Sequence, residues 1–316
     1  MIPSTVAFLC AFLLSAFVPH VVAHGFLKSV TIGGKDYPAW DADVDPYADP
    51  IPARVTRKVP DDGPVINLKD ASVVCNVGGD KGAGLVAKAT AGSQISFTMN
   101  RWPDDHLGPV THYMTKCTNG DCKSFDPTGA SWFKVDAAGL KNGVWATTNL
   151  IKNGLTDTMT IPSDLQSGQY LIRHELIALH SSDAAQVYPE CIQVEVTGGG
   201  NKYPSGSALT TIPQVYTNFK TPDIWADGFN SFTIPGPAPA FGSSSSGANN
   251  APPSSSVDPS PSVSPSSSSH AIPQSASSAT PSKSNASSHA SQTGTCRGHK
   301  ARRALHHAAF GMKRHH

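Results

Sequence analysis

Between residues 24 and 241, Gly, Pro, Asn and Asp interrupt the chain so often that few stretches keep a helical period for three turns. A helical bundle is excluded on that ground, because each interruption costs helix hydrogen bonds or backbone order. Between the breaks lies a set of short alternating or β-branched runs: Phe26 to Ile32, Gln94 to Asn100, Val110 to Thr115, Thr158 to Ile161, Gln169 to Leu179 and Cys191 to Val196. These read as strands, and many strands joined by Gly/Pro turns predict one all-β sandwich domain with long loops. The clearest run is Leu171 to His180. Alternation places Ile172, His174, Leu176, Ala178 and His180 on one face, with Arg173 and Glu175 on the other.

The flanks have different compositions. Residues 2 to 18 form an apolar run, Pro19 and His20 interrupt it, and Ala23 closes the segment at a plausible cleavage position. We read 1–23 as a secretory signal, although no Lys or Arg precedes the run. A membrane anchor is disfavoured because the run is at the short limit for spanning a bilayer. From 242 to 295 the chain contains 22 Ser and 7 Pro with almost no large apolar side chain, which predicts a disordered linker. Its Ser/Thr/Pro content suggests O-glycosylation, and Asn285 heads the single Asn-X-Ser/Thr sequon. Residues 296–316 carry six Lys and Arg, five His and no acid, a basic tail of unassigned use. The body, 24–241, is acidic instead, with 17 Lys and Arg against 22 Asp and Glu, which argues against nucleic acid as its partner. The expected protein is a monomer with no membrane partner.

Secretion also sets the redox compartment, so the five cysteines remaining after Cys10 are first of all disulfide candidates. Cys117 and Cys122 are near enough to close a small loop, and Cys75 and Cys191 can staple distant parts of the domain. Other pairings remain open at this level. Five is odd, so one cysteine is left over, Cys296 on this arrangement.

If cleavage follows Ala23, the chain begins with His24. A terminal histidine offers two donors, the α-amine and Nδ1, which close a six-membered chelate ring. One opposed imidazole then completes three nitrogens in a T, a tetragonal arrangement suited to Cu(II). His106 is the best opposed ligand, because it lies in a turn-rich stretch that leads into a strand. On spacing alone, the plainer reading is favoured, His24 as an ordinary surface residue and His106 as a loop histidine.

Several separated motifs occur in order: His24-Gly25-Phe26; Trp102-Pro103-Asp104-Asp105-His106-Leu107-Gly108-Pro109-Val110; Tyr113 before Cys117; Gly143-Val144-Trp145-Ala146; Arg173-His174-Glu175 through His180; and Gln186-Val187-Tyr188-Pro189-Glu190-Cys191. Over residues 24 to about 241 the chain resembles the fungal lytic polysaccharide monooxygenases of auxiliary-activity family nine, formerly classed as glycoside hydrolases. The resemblance implies an immunoglobulin-like or fibronectin-III-like β-sandwich and one copper in a histidine brace, with His24 and His106 as ligands and Tyr188 near the axial position. It implies that His174 and Gln186 form the pair beside the reactive oxygen, and leaves His112 and His180 structural. It further implies disulfides Cys75–Cys191 and Cys117–Cys122, and a methylated His24 if the host makes that modification. The catalytic residues are then His174, Gln186 and Tyr188. Tyr47 and Phe241 are the candidates for stacking on a flat glucan surface.

The resemblance thus implies an extracellular oxidoreductase that cleaves cellulose or a related β-1,4-glucan at C1 or C4, using an external electron donor and dioxygen or hydrogen peroxide. The chain departs from the family pattern at Asp105, which replaces a serine, and at Phe241, which comes one residue late after Pro235-Gly236-Pro237. The competing readings are a copper-binding protein that uses the same brace without turnover and a non-catalytic polysaccharide-binding module. A two-carboxylate glycosidase built on Asp105 and Glu175 is disfavoured, since Glu175 points away from His174.

Overall fold

The computed structural model describes residues 24–242. The signal segment, the Ser/Pro-rich segment with Asn285, and the basic tail with Cys296 lie outside the described residues. Ten strands form two sheets. In chain order they are β1 (Leu27–Ile32), β2 (Lys35–Pro38), β3 (Ala87–Thr90), β4 (Gln94–Met99), β5 (Val110–Lys116), β6 (Ser131–Ala138), β7 (Thr156–Thr160), β8 (Gly168–Ala178), β9 (Gln186–Thr197) and β10 (Leu209–Thr211). One short helix, α1 (Ala146–Lys152), precedes β7. The smaller sheet runs β2-β1-β4-β7 and the larger β10-β6-β5-β8-β9-β3. Only β3 and β9 pair in parallel, so the architecture is the expected antiparallel-rich sandwich.

Two apolar layers account for the burial pattern. Between the sheets pack Leu27, Val30, Ile32, Ile95, Phe97, Ile172, Leu176 and Ile192, all 0–1% exposed. Each such side chain contributes about 1.5–3 kcal/mol relative to leaving it in water. The outer face of the larger sheet is also covered: Leu171, Ile177, Leu179 and Val187 pack under Val73, Val74, Ile212 and Tyr216 from long loops. Both faces of β8 are therefore buried, and Arg173 and Glu175 on its outer face need partners. Arg173 donates to the carbonyls of Val73 and Val74 at 2.8 Å each and is paired with Glu175, which also accepts from Thr111 at 2.7 Å and from Tyr216. Burial acts to raise the Glu175 carboxyl, but Arg173 outweighs it and holds the group ionised. Disulfides Cys75–Cys191 and Cys117–Cys122 fasten these covering loops.

Three differences from the sequence reading have physical causes. Strands β2, β3 and β10 span only three or four residues, and β6 (Ser131–Ala138) lacks period-two alternation, so none of the four was expected as a strand. Helix α1 carries only two turns, too few for a periodic signal. Most consequentially, β8 ends at Ala178, so His180 lies beyond the pleat that was expected to align it with His174.

Candidate metal centre at the sandwich rim

His24 precedes β1, and the start of that strand is tied down on two sides. The Phe26 amide donates to Asn100 Oδ1 at 3.0 Å, the Asn100 amide returns to the Phe26 carbonyl at 2.9 Å, and the Leu27 amide donates to Glu190 Oε1 at 2.6 Å. Gly25 is needed between them, because a Cβ there would stand 2.1 Å from the Arg101 carbonyl oxygen. The segment leading into β1 is thus pressed against the end of β4, and His24 is carried to the rim beside the loop that succeeds β4.

That loop holds His106. Trp102 Nε1 donates to the His106 carbonyl at 3.0 Å, and the His106 amide donates to the Pro103 carbonyl at 3.2 Å. Further along, the amides of Leu179 and Ile177 donate to the carbonyls of Leu107 and Pro109, at 2.8 and 3.1 Å, which zips the loop onto the end of β8. Gly108 permits this, since a Cβ would meet the Ile177 oxygen at 1.7 Å. The His106 Nδ1 lies 2.8 Å from Asp105 Oδ1, which leaves Nε2 as its free nitrogen, and Nε2 is buried without a hydrogen bond among the described residues. Its ring meets His24 edge-on at 5.6 Å between centroids.

Tyr188 lies under both rings, 6.0 Å from His24 and 6.4 Å from His106, with Trp102 packed on it at 4.8 Å. Its hydroxyl donates to Gln186 Oε1 at 2.7 Å. Burial, then the carboxylates Asp62 and Asp105, raises the phenol well above its ordinary range, so the hydroxyl proton stays on. His24, His106, Gln186 and Tyr188 are therefore brought together.

His174 is not. It lies in mid-strand, 1% exposed, opposite His112 of β5 and stacked on Phe97 at 4.8 Å. The histidine placed beside His106 is His180, with rings stacked 4.1 Å apart at 25°. The correction comes from the strand end: once β8 stops at Ala178, the chain turns outward with the zipped loop and takes His180 with it. Burial, then His106 and His24 against partial compensation by Asp105, lowers the His180 pKa and favours the neutral ring.

The expected stacking residues also separate. Tyr47 stands 85% exposed on a loop whose Asp45 is clamped by Arg54 at 2.7 and 2.8 Å, and whose Asp43 approaches Arg101 at 3.9 Å, next to the His106 loop. Phe241 is half-buried against Phe133 at 5.9 Å, in a cavity with Gly92 and Ser163 at the opposite end of β4 from Asn100. It packs on the core because its neighbour is the buried Phe133 of β6, so its assignment to the glucan face is withdrawn. A second exposed aromatic at the rim is Trp225, 59% exposed, whose Nε1 donates to the His180 carbonyl at 2.9 Å. An isolated Trp among Pro, Asp and Gly is a sequence signal for such a position.

This is a β-sandwich that concentrates imidazoles, an amide and a phenol at one end of its strands. The profile of Auxiliary Activity family 9, formerly GH61, matches residues 24–233. The chain is 43% identical over 236 residues to AA9 family lytic polysaccharide monooxygenase A of Gloeophyllum trabeum, covering 70% of this chain and 73% of that one. It is 44% identical over 231 residues to monooxygenase B of the same fungus, covering 69% and 91%. Among structures, the extended catalytic domain of H. jecorina LPMO9A aligns at TM-score 0.62 and 32% identity, over 69% of this chain and 92% of that chain. A cellulose-active polysaccharide monooxygenase from M. thermophila aligns at 0.59 and 35%, over 68% and 98%. The chain belongs to auxiliary activity family 9, the lytic polysaccharide monooxygenases, and is an oxidoreductase that cleaves polysaccharide.

Proposed function

We propose that the protein is secreted, is processed after Ala23, and acts with one copper bound by His24 and His106 to oxidise cellulose at C1, C4 or both. The observation that supports this most is the His106 Nε2 atom: buried, unpartnered, and fixed in orientation by Asp105 on the other ring nitrogen. Orienting a ligand through its second nitrogen is what metal-bound histidines require. The donor set, two imidazoles plus the α-amine freed by processing, suits Cu(II).

Copper, when bound, supplies the one-electron chemistry by which dioxygen or hydrogen peroxide, with an external electron donor, oxidises a sugar carbon. The chain's residues do the rest. Tyr188 fills the space beneath the nitrogens with an un-ionised phenol, held by Gln186. His180, stacked on His106 and reachable from solvent, is positioned to hold or pass a proton at its ring nitrogens. We assign it the role first expected of His174. Tyr47 and Trp225 flank the open rim and offer flat apolar faces to a glucan chain. A cavity of 530 Å³ elsewhere, lined by Gln214, Phe219, Phe229 and Ile234 among others, contains none of these histidines, which fits an open surface acting on an insoluble polymer.

The residues beyond the described domain are proposed to take no part in the reaction. Among the described residues, no helix is long and apolar enough to cross a membrane.

The test is to sequence the N-terminus of the secreted protein, load it with copper, and analyse products from cellulose with a reductant by mass spectrometry. A His24 start and oxidised oligosaccharides that vanish with a chelator are expected. Tight copper binding without products would establish the copper-carrier alternative. Cellulose binding that ignores metal, without products, would establish a binding module.

A further inference from the structure

Away from the rim, β5 and β8 of the larger sheet face β7 of the smaller one through His112, His174 and Asp157. His112 and His174 are register partners, and Asp157 is the register partner of Phe97 on β4. The Phe97 ring stacks on both imidazoles, at 5.0 and 4.8 Å, and lies within 28° and 16° of their planes. His112 Nε2 lies 3.0 Å from Asp157 Oδ2, and His174 Nε2 lies 3.9 Å from the same oxygen. One ligand atom from each of the three residues falls within 4.8 Å of the others.

We propose that His112, Asp157 and His174 form a second metal site that holds one zinc ion between the two sheets. Three observations carry it. First, His112 Nε2, His174 Nε2 and Asp157 Oδ2 are all buried and, among the described residues, have no aligned hydrogen bond, although they converge. The 3.0 Å approach lacks the alignment of a hydrogen bond, and an ion pair between His112 and Asp157 would still leave His174 Nε2 unsatisfied. Buried polar atoms are rarely left so. Second, two of the three ligand separations, 3.0 and 3.9 Å, bracket the distance of about 3.3 Å that bonds of about 2.0–2.1 Å set in a tetrahedral ion, and the third is within 4.8 Å. Third, the donors are two imidazoles and one carboxylate, ligand types zinc takes, and His112 and His174 are 2% and 1% exposed, which leaves little room for the three further ligands of an octahedral iron centre. Of the three side chains, Asp157 is the one that reaches solvent, at 25% exposed against 2% and 1%, and a water would be the fourth ligand.

The role is set by the placement. Zinc bridging β7 to β5 and β8 would cross-link the two sheets, so the site is structural. It uses none of the rim residues and does not depend on the copper reading.

The experiment uses the full-length chain, stripped of metal, given one equivalent of Cu(II), then titrated with Zn(II) against a competing chelator. Wild type and Asp157→Asn are compared, so that zinc on the histidine-rich tail cancels. We expect wild type to retain one more zinc per chain than the variant. The affinity difference should exceed the roughly 10–100-fold that loss of an outer-sphere partner costs. Zinc should also raise the melting temperature of wild type alone. Equal retention in the two proteins overturns the site, as does a wild type that takes no zinc yet is more stable than Asp157→Asn, which would mean an ion pair only. Should the variant fail to fold, Co(II) in copper-loaded wild type decides: intense visible bands of a four-coordinate centre support the site, and their absence overturns it.

Discussion

Two groups of histidines occupy this sandwich, and they differ in what holds them. At the rim, His24, His106 and His180 hang from strand ends and loops and lean on one another, with His24 and His180 half-buried and His106 buried between its neighbours. In the interior, His112 and His174 project from the middles of paired strands onto Phe97, 2% and 1% exposed. Residue type is the same in both. The difference lies in where the strand stops, since one short chain segment links the interior His174 to the rim His180. Groups fixed by strands serve the framework; groups presented by loops are free to meet a ligand. On this comparison, interior changes should alter stability first and rim changes chemistry first.

The largest effect is expected at the staple that closes the interior. Cys75 and Cys191 are 116 residues apart, whereas Cys117 and Cys122 are 5 apart. Chain entropy alone assigns the long bridge about 5 kcal/mol and the short one about 2 kcal/mol. Replacing Cys75 and Cys191 by Ala should therefore shift the urea midpoint far more than the same change at Cys117 and Cys122. Activity per folded molecule should stay near wild type. Equal shifts would show that strain or residual structure, not loop length, governs the two bridges.

A paired substitution tests the comparison itself. His174→Ala leaves a cavity beside Phe97 and should cost about 2–4 kcal/mol in denaturant unfolding, with copper affinity retained. His180→Ala should leave the midpoint within about 0.5 kcal/mol, since the ring is half-exposed, and lower oxidised-product formation about 10- to 100-fold. The reverse pattern, activity lost at 174 and stability lost at 180, would restore the assignment that the motif alone suggests.

The different placement of His174 and His180, on which the proposed exchange of roles rests, has a physical origin. The sandwich, the long strand through Leu171 to Ala178 and the opposed faces of His174 and Glu175 are legible in sequence because period-two alternation is a local property. The meeting of His24 with His106 rests on a nonlocal contact, Gly25 against Arg101, yet the motifs that flank it are distinctive enough to name the pair. The end of β8 is legible in neither way. It depends on Leu107 and Pro109 capturing the amides of Leu179 and Ile177, a contact across about seventy residues that no window of sequence contains. Nor could Asp157 be seen as a partner of His112, since β7 belongs to the other sheet. Trp225 was missed: it stands as an isolated aromatic among Pro, Asp and Gly, and no motif attaches it to the rim.

The smallest effects are expected at the aromatic flanks, where the comparison is sharpened by a third residue. An aromatic ring stacked on a flat apolar partner contributes about 0.5–1.5 kcal/mol, or roughly 2- to 10-fold in affinity. Tyr47→Ala and Trp225→Ala should each weaken adsorption to insoluble glucan by that factor while leaving the melting temperature unchanged. Phe241→Ala should do the opposite, because its ring packs on Phe133. The Tyr47 effect has a further handle in Asp45. Burial acts to raise that carboxyl, but its bonds from Arg54 and the Asp41 amide outweigh burial and hold it below the usual range. A depressed carboxylate stabilises the fold above its unfolded pKa and loses that contribution as pH falls through the folded value. Adsorption through Tyr47 should therefore weaken only as pH falls below the ordinary carboxylate range, and Asp45→Asn should reproduce the weakening at neutral pH. If Asp45→Asn lowers adsorption as much as Tyr47→Ala with no change in melting, the loop acts by holding its aromatic ring in place. If adsorption is untouched by either, the glucan lies on the Trp225 side of the rim.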